Sequence, residues 1–201
     1  MKKRHWFYLT SGAGLLFLLA EPKKKQESAS ALARLFWDAG RQRYRTDAEV
    51  LQAIEADPSL IPPAIFSGEG KVLAYSHIIK SAGKYYNISP AMIAAIIHQE
   101  SHGDYAAKGL DGEIGLMQIM PGTARDMAFD GDIGDLYNPS VNIFTGTKYL
   151  RFQLDRYGNL LDMIAAYNAG SVKKDRNGQY KNFSYVERVA SILYPRYVKL
   201  I

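Results

Sequence analysis

The sequence predicts an all-α domain, mainly helical α+β at most, and three observations predict it. Apolar residues recur at helical spacing through most of the chain from residue 31 onwards. Helix starts and stops carry local chemistry: Thr46 with Glu49, Ser89 with Pro90, and glycines after apolar runs at Gly103 and Gly170. Strand-like alternation is scarce and no βαβ rhythm is visible, so the one β feature expected is a short hairpin around residues 105–119. The 201 residues suit one domain, or one domain plus an appendage. There is no cysteine, which excludes disulfides, thiolate zinc sites, a cysteine nucleophile, iron–sulfur clusters and lipid attachment to cysteine.

The first element is the amino-terminal segment, residues 1–25. Lys2-Lys3-Arg4 precedes an uncharged stretch from Trp6 to Ala20, and Lys23-Lys24-Lys25 follows it. Fifteen uncharged residues fit a signal-peptide core and are short for a membrane-spanning helix, which takes about 20. The cleavage context at Leu18-Leu19-Ala20 is poor and a basic flank follows directly, so a retained inner-membrane anchor stands beside a cleaved signal. This segment also accounts for the net charge. The chain carries +5, and the whole excess lies in residues 1–25; the remainder holds 19 basic and 19 acidic side chains. A nucleic-acid footprint would be a basic stripe on the folded body, so nucleic acid is not expected as a partner.

Residues 26–70 read as a linker and a helical extension. Ala31 to Arg45 places Leu32, Leu35, Phe36 and Ala39 on one helical stripe. Thr46-Asp47-Ala48-Glu49 is a capping box opening a second helix with Val50, Leu51 and Ile54 behind it. Pro58, Pro62 and Pro63 mark a break. A helix from Lys71 to about Tyr86 follows, carrying Val72, Leu73, Tyr75, Ile78 and Ile79.

Ser89-Pro90 then opens a helix that runs to about His102, with Gly103 beyond it. Its apolar stripe is Ile93, Ile96 and Ile97, and the next position on that face is Glu100. A carboxyl therefore stands where a core residue is expected, in the last turn. Burial and the negative end of the helix both disfavour its charged form and raise its pKa. A carboxylic acid that keeps its proton near neutral pH is a general acid. The plainer alternative is a helix-end glutamate turned to solvent. His98 and His102 stand at i, i+4, a metal-ligand spacing, but Glu100 sits two residues after the first histidine rather than directly after it, so no zinc-protease motif is formed and no metal or cofactor is expected.

Downstream come Gly115-Leu116-Met117-Gln118-Ile119-Met120-Pro121, then Asn138-Pro139 with Asn142-Ile143, Gly146 and Tyr149-Leu150, then Ala166-Tyr167-Asn168-Ala169-Gly170, and finally Tyr185-Val186. With Glu100-Ser101 ahead of them, these motifs resemble in order and spacing the catalytic domain of the soluble-type (SLT) lytic transglycosylases, a lysozyme-like family related to goose-type lysozyme. The resemblance covers about residues 71–199, and the domain is set at 71–201. It implies a helical domain that cleaves the β-1,4 bond between N-acetylmuramic acid and N-acetylglucosamine in peptidoglycan. It implies that Glu100 is the single catalytic acid/base, that Ser101 contacts the reacting sugar or the glutamate, and that Met117 and Gln118 line the groove. Tyr167 and Asn168 would contact sugar, and the Tyr185 hydroxyl would lie near the catalytic carboxyl. Packing is the alternative for Met117. Gly170 suits a helix C-terminus, and Gly115 leaves room for a close approach.

Most glycosidases flank the bond with two carboxylates. The resemblance implies that one suffices here, because the muramic acid C6 hydroxyl closes on C1 and leaves a 1,6-anhydro end. The loop after Glu100 departs from the family pattern: His102 to Ile114 carries Asp104, Asp111 and Glu113 where Phe-Asn-Pro and Ser-Pro are usual. If Asp111 or Glu113 approaches the cleft, water attack and a muramidase reaction become the alternative. A non-catalytic peptidoglycan-binding component of an envelope-spanning machine is a further alternative. Expected partners are peptidoglycan strands, the inner membrane through residues 6–20, and a secretion, conjugation or pilus apparatus; the expected location is periplasmic.

Overall fold

The computed structural model describes residues 37–38, 43–56 and 68–201. Two short strands, β1 (Trp37–Asp38) and β2 (Arg43–Tyr44), pair antiparallel with Trp37 opposite Tyr44. The helices are α1 (Asp47–Ala56), α2 (Glu69–Leu73), α3 (Ser76–Tyr86), α4 (Pro90–Ser101), α5 (Pro121–Asp126), α6 (Pro139–Tyr157), α7 (Leu160–Ala169), α8 (Phe183–Glu187) and α9 (Tyr194–Val198). A 3₁₀ turn over Ile133–Tyr137 leads into α6, and a π-helical stretch over Arg188–Leu193 joins α8 to α9. Among the described residues no helix is long and apolar enough to cross a membrane. The amino-terminal segment, the linker and the proline-marked break lie outside the described residues.

α4 is the axis of the domain. Ser89 caps it by accepting from the Met92 N–H at 3.3 Å, and Pro90 occupies its first turn, where the missing donor costs nothing. Residues 91–98 are all buried, so α4 is covered all round rather than along one stripe. α2, α3, α9 and the π-helical stretch pack directly against it. α6, started by Asn138 accepting from the Ser140 and Val141 N–H groups, packs on α3 and α7. His98, buried within α4, meets the Tyr197 hydroxyl at 2.8 Å, and Arg196 donates to Glu69 at 2.7 Å, so the last helix is tied to the start of the domain.

Two expected helices differ. The helix predicted over Ala31 to Arg45 is replaced, where described, by the β1–β2 pair; Trp37 and Tyr44 are strand-favouring types, and Gly40 between them weakens a helix. The helix predicted from Lys71 to Tyr86 is broken at Ala74-Tyr75, where the Tyr75 N–H bonds back to Val72 in a tighter turn. The break lets α2 lie on the end of α4 while α3 turns to bridge α4 and α6. The α2 contact is close: a Cβ on Gly68 would lie 2.6 Å from the His102 carbonyl oxygen, and one on Gly103 would lie 2.7 Å from Lys71. The capping box holds: the Thr46 N–H donates to Glu49 at 2.9 Å and the Glu49 N–H to the Thr46 hydroxyl at 3.4 Å.

Candidate active site

The site begins where α4 ends. His102 takes a left-handed conformation (φ 53°), one residue before the glycine expected to do so, and Gly103 follows with φ 79°. The chain then loops out and returns through Gly115 to Ile119. Ile114 pairs with both Lys108 and Ile119 as isolated antiparallel bridges, which is the β feature expected around residues 105–119.

One side chain fixes that loop. Asn142, buried in the first turns of α6, accepts from the Met117 N–H at 2.7 Å and donates to the Ile114 and Leu136 carbonyls at 2.8 Å each. Gly115 has φ 75°, and a Cβ there would come within 2.5 Å of the Asn142 amide, so glycine is required both by conformation and by space. Gly146, one turn further along α6, receives the Met117 side chain; a Cβ there would lie 2.5 Å from the Met117 sulfur.

A cleft of about 220 Å³ opens between this loop and the helices. Glu100, Glu113, Gln118, Met120, Thr123, Tyr149, Tyr167, Asn168 and Gly170 line it. Glu100 is half-buried at its floor and accepts from the Tyr185 hydroxyl at 2.5 Å. Burial pushes the Glu100 carboxyl up to about 7; the bond from Tyr185 pulls against this, and the charge of Glu113 adds to it. Burial and the neighbouring Glu100 charge hold the Tyr185 and Tyr167 phenols well above their ordinary range, so both stay donors. Glu100 thus carries its proton through much of the range in which an ordinary carboxyl has lost it.

The other expected residues separate. Gln118 (φ 47°) lines the cleft and anchors itself by donating to the Gly115 carbonyl at 2.8 Å. Tyr167 lines the cleft with its ring and donates its hydroxyl to the Met117 carbonyl at 2.8 Å. Asn168 is exposed and accepts from Asn182 at 2.9 Å. Met117 does not line the groove. Its side chain is fully buried against Gly146, so it is a packing residue. The Ser101 hydroxyl is turned inwards, donating to the Leu116 carbonyl at 2.8 Å and accepting from the Gly103 N–H at 3.2 Å; it holds loop to helix. His98 and His102 have ring centroids 5.3 Å apart, with His98 engaged by Tyr197.

Of the loop acids, Glu113 reaches the cleft. Its carboxylate accepts from the Asp111 N–H at 3.0 Å and lies over Gly109, where any Cβ would collide with it. Tyr149 also faces the cleft, 5.3 Å from the Tyr167 ring and stacked on the half-exposed Phe152. No role was expected for Tyr149 or Asn142. The spacing 142, 146, 149 along α6 is the sign of both, since it puts three residues on one helix face towards the loop.

Fold and site together define a lysozyme-like helical domain with one proton-bearing carboxyl in an open polar and aromatic cleft. Residues 77–187, more than half the chain, match the family described as the transglycosylase SLT domain. The chain belongs to that family. It is 32% identical over 111 residues to the transglycosylase of Enterobacteria phage PRD1, covering 55% of this chain and 40% of that one. It is 34% identical over 136 residues to membrane-bound lytic murein transglycosylase C of Actinobacillus pleuropneumoniae, covering 60% and 37%. Among solved structures, the 70 kDa soluble lytic transglycosylase of Escherichia coli matches with a TM-score of 0.52 and 25% identity, over 91% of this chain and 31% of that one. The chain spans well under half the length of these relatives.

Proposed function

We propose that this protein is a peptidoglycan lytic transglycosylase, and that residues 71–201 form its catalytic domain. The observation that carries the reading is Glu100, half-buried in the cleft, hydrogen-bonded by Tyr185 and titrating near neutral pH. In this reading Glu100 gives its proton to the oxygen of the β-1,4 bond between N-acetylmuramic acid and N-acetylglucosamine, and that bond breaks. The Glu100 carboxylate then takes the proton of the muramic acid C6 hydroxyl as that oxygen bonds to C1. A 1,6-anhydro end forms, and Glu100 is again protonated for the next turnover. Tyr185 stabilises the carboxylate between the two steps through its donated bond. Gln118, Tyr149, Tyr167 and Asn168 line the cleft where the sugars would lie, with Tyr149 and Tyr167 offering rings to stack on them.

The names of the relatives support the substrate class, and one of them is described as membrane-bound. In the same reading the protein works in the periplasm, delivered by residues 1–25 or held at the inner membrane by them. It opens the wall locally for a secretion, conjugation or pilus apparatus. Mass spectrometry of digested sacculi tests the chemistry, and 1,6-anhydromuramoyl ends are expected. Ordinary reducing ends would overturn it in favour of a muramidase, a second reading that the position of Glu113 in the cleft favours, since a second carboxylate can activate water.

A further inference from the structure

The segment between α7 and α8 is a small hairpin that no step above uses. Lys174 and Tyr180 pair as an antiparallel bridge, the Lys181 N–H donates to the Lys173 carbonyl at 2.8 Å, and Gly178 (φ 79°) closes the turn. The hairpin is firmly held. Asp162, in the first turn of α7, accepts from the Tyr180 hydroxyl at 2.6 Å and from Lys174 at 3.1 Å, while Lys174 lies 4.6 Å from the centre of the Tyr180 ring. At its far end Asn182 donates to the Ala165 carbonyl at 3.0 Å and to Asn168, which lines the cleft. At its near end the chain leaves Gly170, also a cleft residue.

What the hairpin displays is charge. Residues 173–181 hold four cations against one acid, in a body that outside residues 1–25 is otherwise balanced or acidic. Asp175 spends its carboxylate on the Asn177 and Gln179 N–H groups of the turn, and Lys174 is committed to Asp162. Lys173, Arg176 and Lys181 are exposed and have no ion pair among the described residues. Three uncommitted cations on a hairpin whose two ends join the cleft residues Gly170 and Asn168 present a surface complementary to carboxylates.

We propose that the 173–181 hairpin binds the acidic stem peptides carried by muramic acid, through Lys173, Arg176 and Lys181, and so selects peptide-bearing over peptide-free glycan. The inference rests on the peptidoglycan reading above and deepens it. The carboxylates of a stem peptide hang from the lactyl side of the same sugar whose bond is cut, so a strand seated in the cleft brings them to one rim. The hairpin that bears the three cations joins the cleft at both ends, leaving it at Gly170 and returning through the Asn182–Asn168 bond.

The test compares the full chain with its Lys173→Gln/Arg176→Gln/Lys181→Gln variant on two substrates: soluble glycan strands with uncrosslinked stem peptides, and the same strands stripped by an amidase. The readout is the ratio of kcat/KM between the two substrates. The variant is expected to lower that ratio about tenfold, through KM on peptide-bearing strands, and added salt is expected to erase the difference. A circular dichroism melt matched to the parent shows that the fold is kept; the single Arg176→Gln variant, at the turn, gives a smaller loss of the same kind. An unchanged ratio overturns the proposal. So does a loss of sedimentation with phosphatidylglycerol vesicles at unchanged ratio, which would assign the cations to a lipid surface. If the parent cuts neither strand, the transglycosylase reading fails instead.

Discussion

The two walls of the cleft are built in different ways. One wall is helical: α4, α6 and α7 bring Glu100, Tyr149 and Tyr167 to the cleft from a packed apolar core, and α8 brings Tyr185 to Glu100. The other wall is the 103–119 loop, held by backbone bridges and by polar side chains, Asn142 above all. The helical wall supplies the group that titrates; the loop wall supplies Glu113 and Gln118, which surround it. Burial within the first raises the Glu100 carboxyl, and a charge on the second raises it further. The acid is therefore set by packing and raised further by the loop.

The largest test of this division is Glu100→Gln, which should lower turnover about 10³-fold or more in sacculus clearance while keeping the fold. It should also stabilise. The folded carboxyl titrates near 7 against 4.5 unfolded, so the native state holds the extra proton between those values and the parent loses stability as pH rises through them. Thermal melts should show the variant more stable than the parent by about 1–3 kcal/mol at pH 8 and by much less at pH 4. Next in size is Asn142→Ala. It leaves one buried N–H and two carbonyls without their partner and should cost about 3 kcal/mol in chemical denaturation, unfolding the loop wall first. If hydrogen exchange showed the loop amides as protected as before, the loop would not depend on Asn142.

The smaller tests have opposite signs. Tyr185→Phe removes a bond that favours the charged form, so the alkaline limb of kcat/KM, which falls as Glu100 loses its proton above about 7, should move to higher pH. Glu113→Gln removes a repelling charge, so the limb should move to lower pH, and by less. Limbs that moved in the same direction would break the assignment of the two walls. If Glu113→Gln instead abolished turnover at every pH, Glu113 would be doing chemistry rather than tuning it.

How much of this was legible follows the same division. The helical wall could be read from local chemistry. Ser89-Pro90 starts α4, and three isoleucines point to Glu100, because a helix brings residues three and four apart onto one face. The motif AYNAG marks the end of α7, where Gly170 is left-handed as expected. What depended on distant partners was not legible. Met117 reads like a groove residue until Gly146, 29 positions on, is seen to receive it. Ser101 reads like a substrate contact until Leu116 takes its hydroxyl. The β1–β2 pair replaced an expected helix because strand pairing is decided between two partners rather than along one stripe. Asn142 shares a helix face with Gly146 and Tyr149, but that spacing does not say that three backbone groups converge on it.

The bond between Tyr185 and Glu100 spans 85 residues of chain, and that between His98 and Tyr197 spans 99. The helix that bears the acid is therefore synthesised long before the residues that bury and tune it. Until α8 docks, Glu100 lacks the Tyr185 hydroxyl that tunes it. Contacts this distant in sequence carry a cost in loop closure. The tuning of Glu100 is thus acquired through a contact that the chain can make only after another 85 residues have been added.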